Sequence, residues 1–247
     1  MIVLDGGIGR HLEKMGAPFG QPEWSALSLI QEPDFVLRAH KDFIDSGADV
    51  ITTNSYAIVP FHIGKDRFEK EGKDLLIRAG NIAKEAVKLY KKEIKIAASI
   101  PPVLGSYKPD VFNSEKAIPI LEIFKNNLIQ FCDLILAETL SSIDEIKTIQ
   151  RVFGDCKIPF WISLTIEDEY YNIPKLRSGE EIVTALRKID FNKISSVLFN
   201  CSQPEVMAKA IKVAKNLVPE NTSLGVYANA FQPIKIGQRD ANSQIRN

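Results

Sequence analysis

Cys201 stands between the apolar run Val197–Phe199 and Ser202, a hydroxyl residue able to open a helix. A thiol at a helix N-terminus faces the positive end of the helix dipole. That favours the thiolate, the form that binds metal. The competing reading is a small buried hydrophobe, as for most lone cysteines. Two carboxylates occupy similar positions, Asp5 after Ile2–Leu4 and Glu138 after Leu134–Ala137. Thr52-Thr53-Asn54, Ser99, Thr165, Asn200 and Asn229 also follow apolar runs. Loop exposure alone explains any single Thr or Asn in such a place. Asp5, Glu138 and Cys201 taken together point to function.

The other reactive side chains are less promising. Cys132 precedes the Leu134–Ala137 run at its opposite end and Cys156 follows a helix, so neither should reach Cys201 and both read as structural. His11 and His40 fall within helical patterns. His62 is expected in a loop, from which it could approach a site. No Ser or Cys motif partners any of the three, so a nucleophile–histidine triad is not expected.

These residues need elements to hold them. The apolar runs are Ile2–Leu4, Val50–Thr52, Ile94–Ala98, Leu134–Ala137, Phe160–Leu164, Ser196–Phe199 and Leu224–Tyr227. They lack strict alternation, as expected of parallel strands buried on both faces. Amphipathic helices fill the intervals. Leu75, Ala79, Ile82, Ala83, Ala86 and Tyr90 trace one apolar stripe. A helix over Asp34–Asp45 begins after Pro33 and ends at Gly47. Ser142/Glu145, Ser178/Glu181 and Ser202/Glu205 have the spacing of capping boxes. Repeated β-α units imply a parallel sheet in an α/β fold. No G-x-G-x-x-G or Walker sequence follows a strand, which disfavours the open nucleotide-binding type. The remaining expectation is a (β/α)8 barrel forming a single domain over residues 1–247, with its site at the C-terminal strand ends. Seven strand runs are visible, and the polar segment Gly237–Asn247 offers no eighth.

Composition narrows the function classes. Thirty-one basic and thirty-one acidic residues cancel, leaving no global field for nucleic acid or an anionic membrane. Lys84, Lys88, Lys91 and Lys92 read as a solvated helix face. Three cysteines make no disulfide framework. Met1 leads into Asp5 without a basic or cleavable segment, and no apolar run reaches the ~18 residues of a membrane span. A cytoplasmic location is expected; oligomeric state is not legible.

Several motifs, in order, resemble the homocysteine S-methyltransferase family. They are Leu4-Asp5-Gly6-Gly7-Ile8-Gly9 with Leu12-Glu13, Pro22-Glu23-Trp24-Ser25-Ala26, and Gly47-Ala48-Asp49-Val50-Ile51-Thr52-Thr53-Asn54-Ser55-Tyr56. Glu138-Thr139 with Glu145, Phe160-Trp161-Ile162-Ser163 and Phe199-Asn200-Cys201 continue the series. Val226-Tyr227-Ala228-Asn229 completes it, with Ala228 in place of the usual proline.

The resemblance implies that Cys201 is a zinc ligand and that Asp5 and Glu138 hold the ammonium group of homocysteine. Thr53 and Asn54 would line the substrate site, Asn229 would support it, and Trp24 would serve the donor side or simply anchor the fold. The implied reaction carries a methyl group from S-methylmethionine or S-adenosylmethionine to the zinc-bound thiolate of homocysteine, giving methionine. Zinc would be the cofactor because a free thiol, with a pKa of roughly 8.5, is little ionised at neutral pH.

The same resemblance brings a discrepancy. The family completes its zinc site with a G-G-C-C motif on the last strand, and no cysteine follows Cys201. The expectation is a barrel short of that strand and of two zinc ligands. It would be a truncated enzyme, one completed from elsewhere, or a non-catalytic binding protein or remnant of the same fold. An aldolase-type barrel would need a lysine at a strand end, and none of the seven runs supplies one.

Overall fold

Apolar runs and amphipathic helices alternate along the chain as the sequence pattern requires. A computed structural model describes residues 1–229. In chain order the elements are α1 (Ile8–Lys14), α2 (Ser25–Gln31), α3 (Pro33–Asp45), β1 (Val50–Thr52), α4 (Pro60–Ile63), α5 (Lys65–Lys88) and β2 (Lys95–Ile100). There follow α6 (Ser114–Leu128), β3 (Leu134–Leu140), α7 (Ile143–Phe153), β4 (Phe160–Leu164), α8 (Ile182–Leu186), β5 (Ser196–Asn200), α9 (Pro204–Lys215) and β6 (Ser223–Tyr227). Six strands are present among the described residues. The polar segment Gly237–Asn247, read as lacking a strand, falls outside the described residues. No helix among the described residues is long and apolar enough to cross a membrane.

The chain divides into two compact units, Met1–Val103 with Pro119–Leu136, and Leu104–Ile118 with Ala137–Asn247. In the first, β1 and β2 pair in parallel, Ile51 opposite Ile96. Ile44 of α3, Ile51 of β1, Ala83 and Ala86 of α5, and Ile96 of β2 pack into one apolar cluster. Pro33 opens α3, and Gly47 adopts φ 102° just beyond its end, a conformation that favours glycine. Lys84, Lys88, Lys91 and Lys92 are exposed, as a solvated face requires.

The expected first strand is reduced to a single bridge, Leu4 to Val50. Ile2 and Val3 are 58% and 43% exposed, so this apolar run does not enter the core. The Val3 carbonyl accepts from the amides of both Asp49 and Val50, and the Asp5 amide donates to the Val50 carbonyl, so the segment is tied to the start of β1 over a few residues only.

In the second unit β4 pairs with β5 and β5 with β6, all parallel. Every residue of β4 and β5 is buried, which accounts for their unbroken apolar character. Ser142 caps α7 in a complete capping box with Glu145. The other two capping boxes do not form. Ser178 donates to Glu180 instead, and α8 starts only at Ile182. Pro204, with no amide to donate and a helical φ, makes Gln203 the N-cap of α9. The Ser202 hydroxyl is committed to Ile166.

Two buried ionisable groups give the fold a pH signature. Burial raises the Glu145 carboxyl to about 7, although the Ser141 and Ser142 amides both donate to its Oε2. Its Oε1 has no hydrogen-bond partner. His40 in α3 is fully buried with neither ring nitrogen bonded, and burial lowers it to about 4. The signs oppose one another. Native Glu145 keeps a proton that the unfolded chain releases, so its contribution is lost as pH rises from about 4.5 through about 7. Native His40 refuses a proton that the unfolded chain takes up, so its contribution is lost as pH falls from about 6.5 through about 4. Denaturant titrations should therefore show Glu145→Gln removing a falling slope and His40→Leu a rising one, each of up to about 3 kcal/mol. A pH profile unchanged by either substitution contradicts the corresponding assignment.

Candidate active site

Asn200, the last residue of β5, organises the ends of the neighbouring strands in the second unit. Its Oδ1 accepts from the Thr139 amide at 3.0 Å and from Ser163 Oγ at 2.8 Å. Its Nδ2 donates to Thr139 Oγ1 at 2.9 Å. Asn200, Thr139 and Ser163 are fully buried, so each bond satisfies a group that would otherwise be costly. The network holds Thr139 at φ 63°, an outlier for a β-branched residue. The next residue after Asn200, Cys201, is also left-handed, at φ 51°. Strain of this kind, on the order of 1–3 kcal/mol per residue, persists where surrounding bonds over-determine the backbone.

That local geometry brings Glu138 and Cys201 together. Thr139 Oγ1 lies 3.9 Å from Cys201 Sγ. The Cys201 amide donates to the Tyr227 carbonyl at 3.3 Å, while Tyr227 Oη donates to Glu138 Oε2 at 3.1 Å. Glu138, Cys201 and Tyr227 are all half-buried. Burial, and then the negative charge of Glu138, push the Cys201 thiol up. Hydrogen bonds with the Tyr107, Thr139 and Asn200 side chains oppose part of that rise. Cys201 stands two residues before the N-cap of α9, outside the helix's first turn, where the reach of the helix dipole is small. Tyr227 is raised well above its usual range by burial and Glu138, so it remains a donor.

The turn after Cys201 is braced from several sides. Asn229 donates its amide to the Ser202 carbonyl at 3.1 Å and accepts from Gln203 Nε2 at 3.3 Å. Asp168 Oδ1 accepts the Gln203 amide at 2.9 Å, and Arg177 Nη2 bonds Asp168 Oδ2 at 3.1 Å. Sequence reasoning did not single out Tyr107, Asp168, Arg177 or Tyr227 as site residues. Tyr227 lies within a recognised motif, but Asp168 and Arg177 sit in an irregular polar loop with no periodic signal.

The other expected site residues belong to the first unit. Asp5, half-buried, accepts from the Thr52 amide at 2.7 Å and from the Thr52 hydroxyl. Thr53 Oγ1 accepts from the Ser99 amide at 3.1 Å and pairs with Ser55 Oγ at 2.8 Å. Asn54 donates to the Ser25 carbonyl at 3.0 Å, and its buried Oδ1 has no partner. Trp24, at φ 50°, precedes α2 and packs edge-on against Phe19. His62 lies in α4 and not in a loop, because Pro60 starts a helical turn there; its Nδ1 is 2.9 Å from the Pro22 carbonyl. Burial pushes the Cys132 thiol up to about 12, in keeping with a structural role.

A catalytic zinc takes three protein ligands and keeps one open position. Cys201 is a suitable soft donor. Among the described residues, however, no group of three His, Cys, Asp or Glu side chains could hold a metal ion. They fit one corner of such a site and not the whole.

Comparison with known proteins agrees with these motifs. Residues 2–245 match the sequence model of the family described as homocysteine S-methyltransferase. Homocysteine S-methyltransferase 1 of Brassica oleracea var. italica is 29% identical over 253 residues, covering 92% of this chain and 76% of that protein. Homocysteine S-methyltransferase 1 of Arabidopsis thaliana is 28% identical, with the same coverage. The metallated crystal form of the Escherichia coli homocysteine methyltransferase MmuM superposes with a TM-score of 0.80 at 22% identity, over 93% of this chain and 84% of that one. This likeness bears out the barrel-type α/β fold. With the family model matched over nearly the whole chain, the protein belongs to the homocysteine S-methyltransferase family and is by membership a methyltransferase.

Proposed function

We propose that the chain transfers a methyl group from a sulfonium donor, S-methylmethionine or S-adenosylmethionine, to homocysteine, giving methionine. The observation that carries this reading is the pairing of Glu138 with Tyr227 beside the Cys201 thiol at the strand ends of the second unit. An amino-acid thiol offers a cation for the carboxylate and a sulfur for the far side of the same site. Glu138 receives the ammonium by a charge-assisted hydrogen bond. Tyr227, held protonated, fixes the carboxylate by donating to one of its oxygens.

In the reaction the homocysteine sulfur, its thiol proton released to solvent, contributes the electron pair of the new bond to the methyl carbon. The old bond breaks toward the positive sulfur of the donor, which leaves neutral. The residues' part is to align the two sulfurs and the methyl carbon and keep water out. Zinc is the cofactor the resemblance implies. Among the described residues Cys201 would supply one corner of its site. By the same resemblance Asp5 would also hold the ammonium, Thr53 and Asn54 would line the substrate site, Asn229 would support it, and the location would be cytoplasmic.

The test incubates the chain with homocysteine and each methyl-labelled donor, with zinc content measured on the same preparation. Labelled methionine is expected from a sulfonium donor and not from betaine. Glu138→Gln should lower kcat/KM for homocysteine by about 30–100-fold, the loss of one charge-assisted hydrogen bond. A folded chain that binds homocysteine without forming methionine would make it a non-catalytic binding protein of this fold and defeat the proposal.

A further inference from the structure

The three residues after β5 are each tied to the loop that follows β4. Arg177 Nη2 reaches the Cys201 carbonyl at 3.5 Å. Ser202 Oγ donates to the Ile166 carbonyl at 2.8 Å and accepts from the Ile166 amide at 2.9 Å. Asp168 Oδ1 takes the Gln203 amide at 2.9 Å. Arg177 links the outer two ties, since the same Nη2 also bonds Asp168 at 3.1 Å. Its Nη1 stands 3.7 Å from Glu167, and the Arg177 and Asp168 side chains are each 3% exposed. An arginine desolvated to this degree is costly unless its charge is matched, and two carboxylates match it. Its guanidinium also lies 5.7 Å from the centre of the Tyr107 ring, and the Tyr107 side chain hydrogen-bonds the Cys201 thiol. Arg177 thus touches Cys201 from two directions, through the carbonyl and through Tyr107.

Resting on the proposal that Cys201 works beside the bound substrate, we infer that Arg177 is a positioning residue. With Asp168 it clamps the turn 201–203 so that Cys201 stays left-handed and its thiol stays beside Thr139 and Tyr107. Cys201 at φ 51° is in a conformation that a non-glycine residue leaves when released. The planar fork of an arginine suits this task, because one guanidinium serves a carboxylate and a carbonyl at once. Lysine offers a point charge and only part of that geometry.

The test reads the position of the thiol directly. Folded wild-type chain, Arg177→Met and Arg177→Lys are treated with iodoacetamide at one fixed pH. The alkylation rates of Cys201, Cys132 and Cys156 are followed by peptide mass spectrometry. Arg177→Met should raise the Cys201 rate about tenfold while Cys132 and Cys156 keep theirs, and Arg177→Lys should restore part of the protection. An unchanged Cys201 rate overturns the inference. So does an equal rise at all three cysteines, which would make Arg177 a general support of the fold. Should Arg177→Met fail to fold, Arg177→Lys and Asp168→Asn carry the same test, each required to speed Cys201 selectively. No methyl donor takes part, so the result stands apart from success or failure of the methyl-transfer reading.

Discussion

The carboxamide of Asn200 is the constraint on which the candidate site depends. With two atoms it satisfies the amide and hydroxyl of Thr139 and the hydroxyl of Ser163, so the ends of β3, β4 and β5 are held by one buried side chain. An aspartate could not donate from its second oxygen, and an alanine would leave a buried amide and a buried hydroxyl unmet. The left-handed Thr139 is held against its own backbone preference by these bonds. Because Glu138 precedes Thr139 and Cys201 follows Asn200, the same hub determines where the acid and the thiol stand.

The electrostatics follow from that placement. Burial, with a carboxylate close by, pushes the Cys201 thiol up, and the neighbouring Tyr227 stays a donor. On the proposed function, an ammonium at Glu138 would relieve the crowding of acidic groups there. The buried Arg177 does not serve that purpose. Its charge is taken up by Glu167 and Asp168, and its contribution is to the shape of the turn carrying Cys201.

Much of this was legible in the sequence because strands buried on both faces must be apolar throughout. Val50–Thr52, Phe160–Leu164 and their counterparts therefore announced themselves, and the polar residues that end them marked Glu138 and Cys201. Ser142 with Glu145, and Gly47 after α3, were readable since capping chemistry is local. The failures are tertiary in origin. Ile2–Leu4 looked like a strand, but Ile2 and Val3 are exposed and only Leu4 forms a bridge, to Val50 of β1. Ser202 looked like a cap, yet its hydroxyl is claimed by Ile166, 36 positions away. The ionisation of Cys201 was read from a nearby helix start, while burial, and then the charge of Glu138, distant in sequence, push its thiol up. Arg177 and Asp168 carry no local signal, since their importance arises only where the loop after β4 meets the turn after β5.

On the proposed function, Glu138 gives this site its hold on the ammonium group of a thiol amino acid. Calorimetric titration with homocysteine and with 4-sulfanylbutanoate, which keeps the thiol and carboxylate but lacks the amino group, tests it most directly. Homocysteine should bind more tightly by about 2–3 kcal/mol, and the gap should close in Glu138→Gln. Equal affinity of the two compounds for the wild-type chain would contradict it.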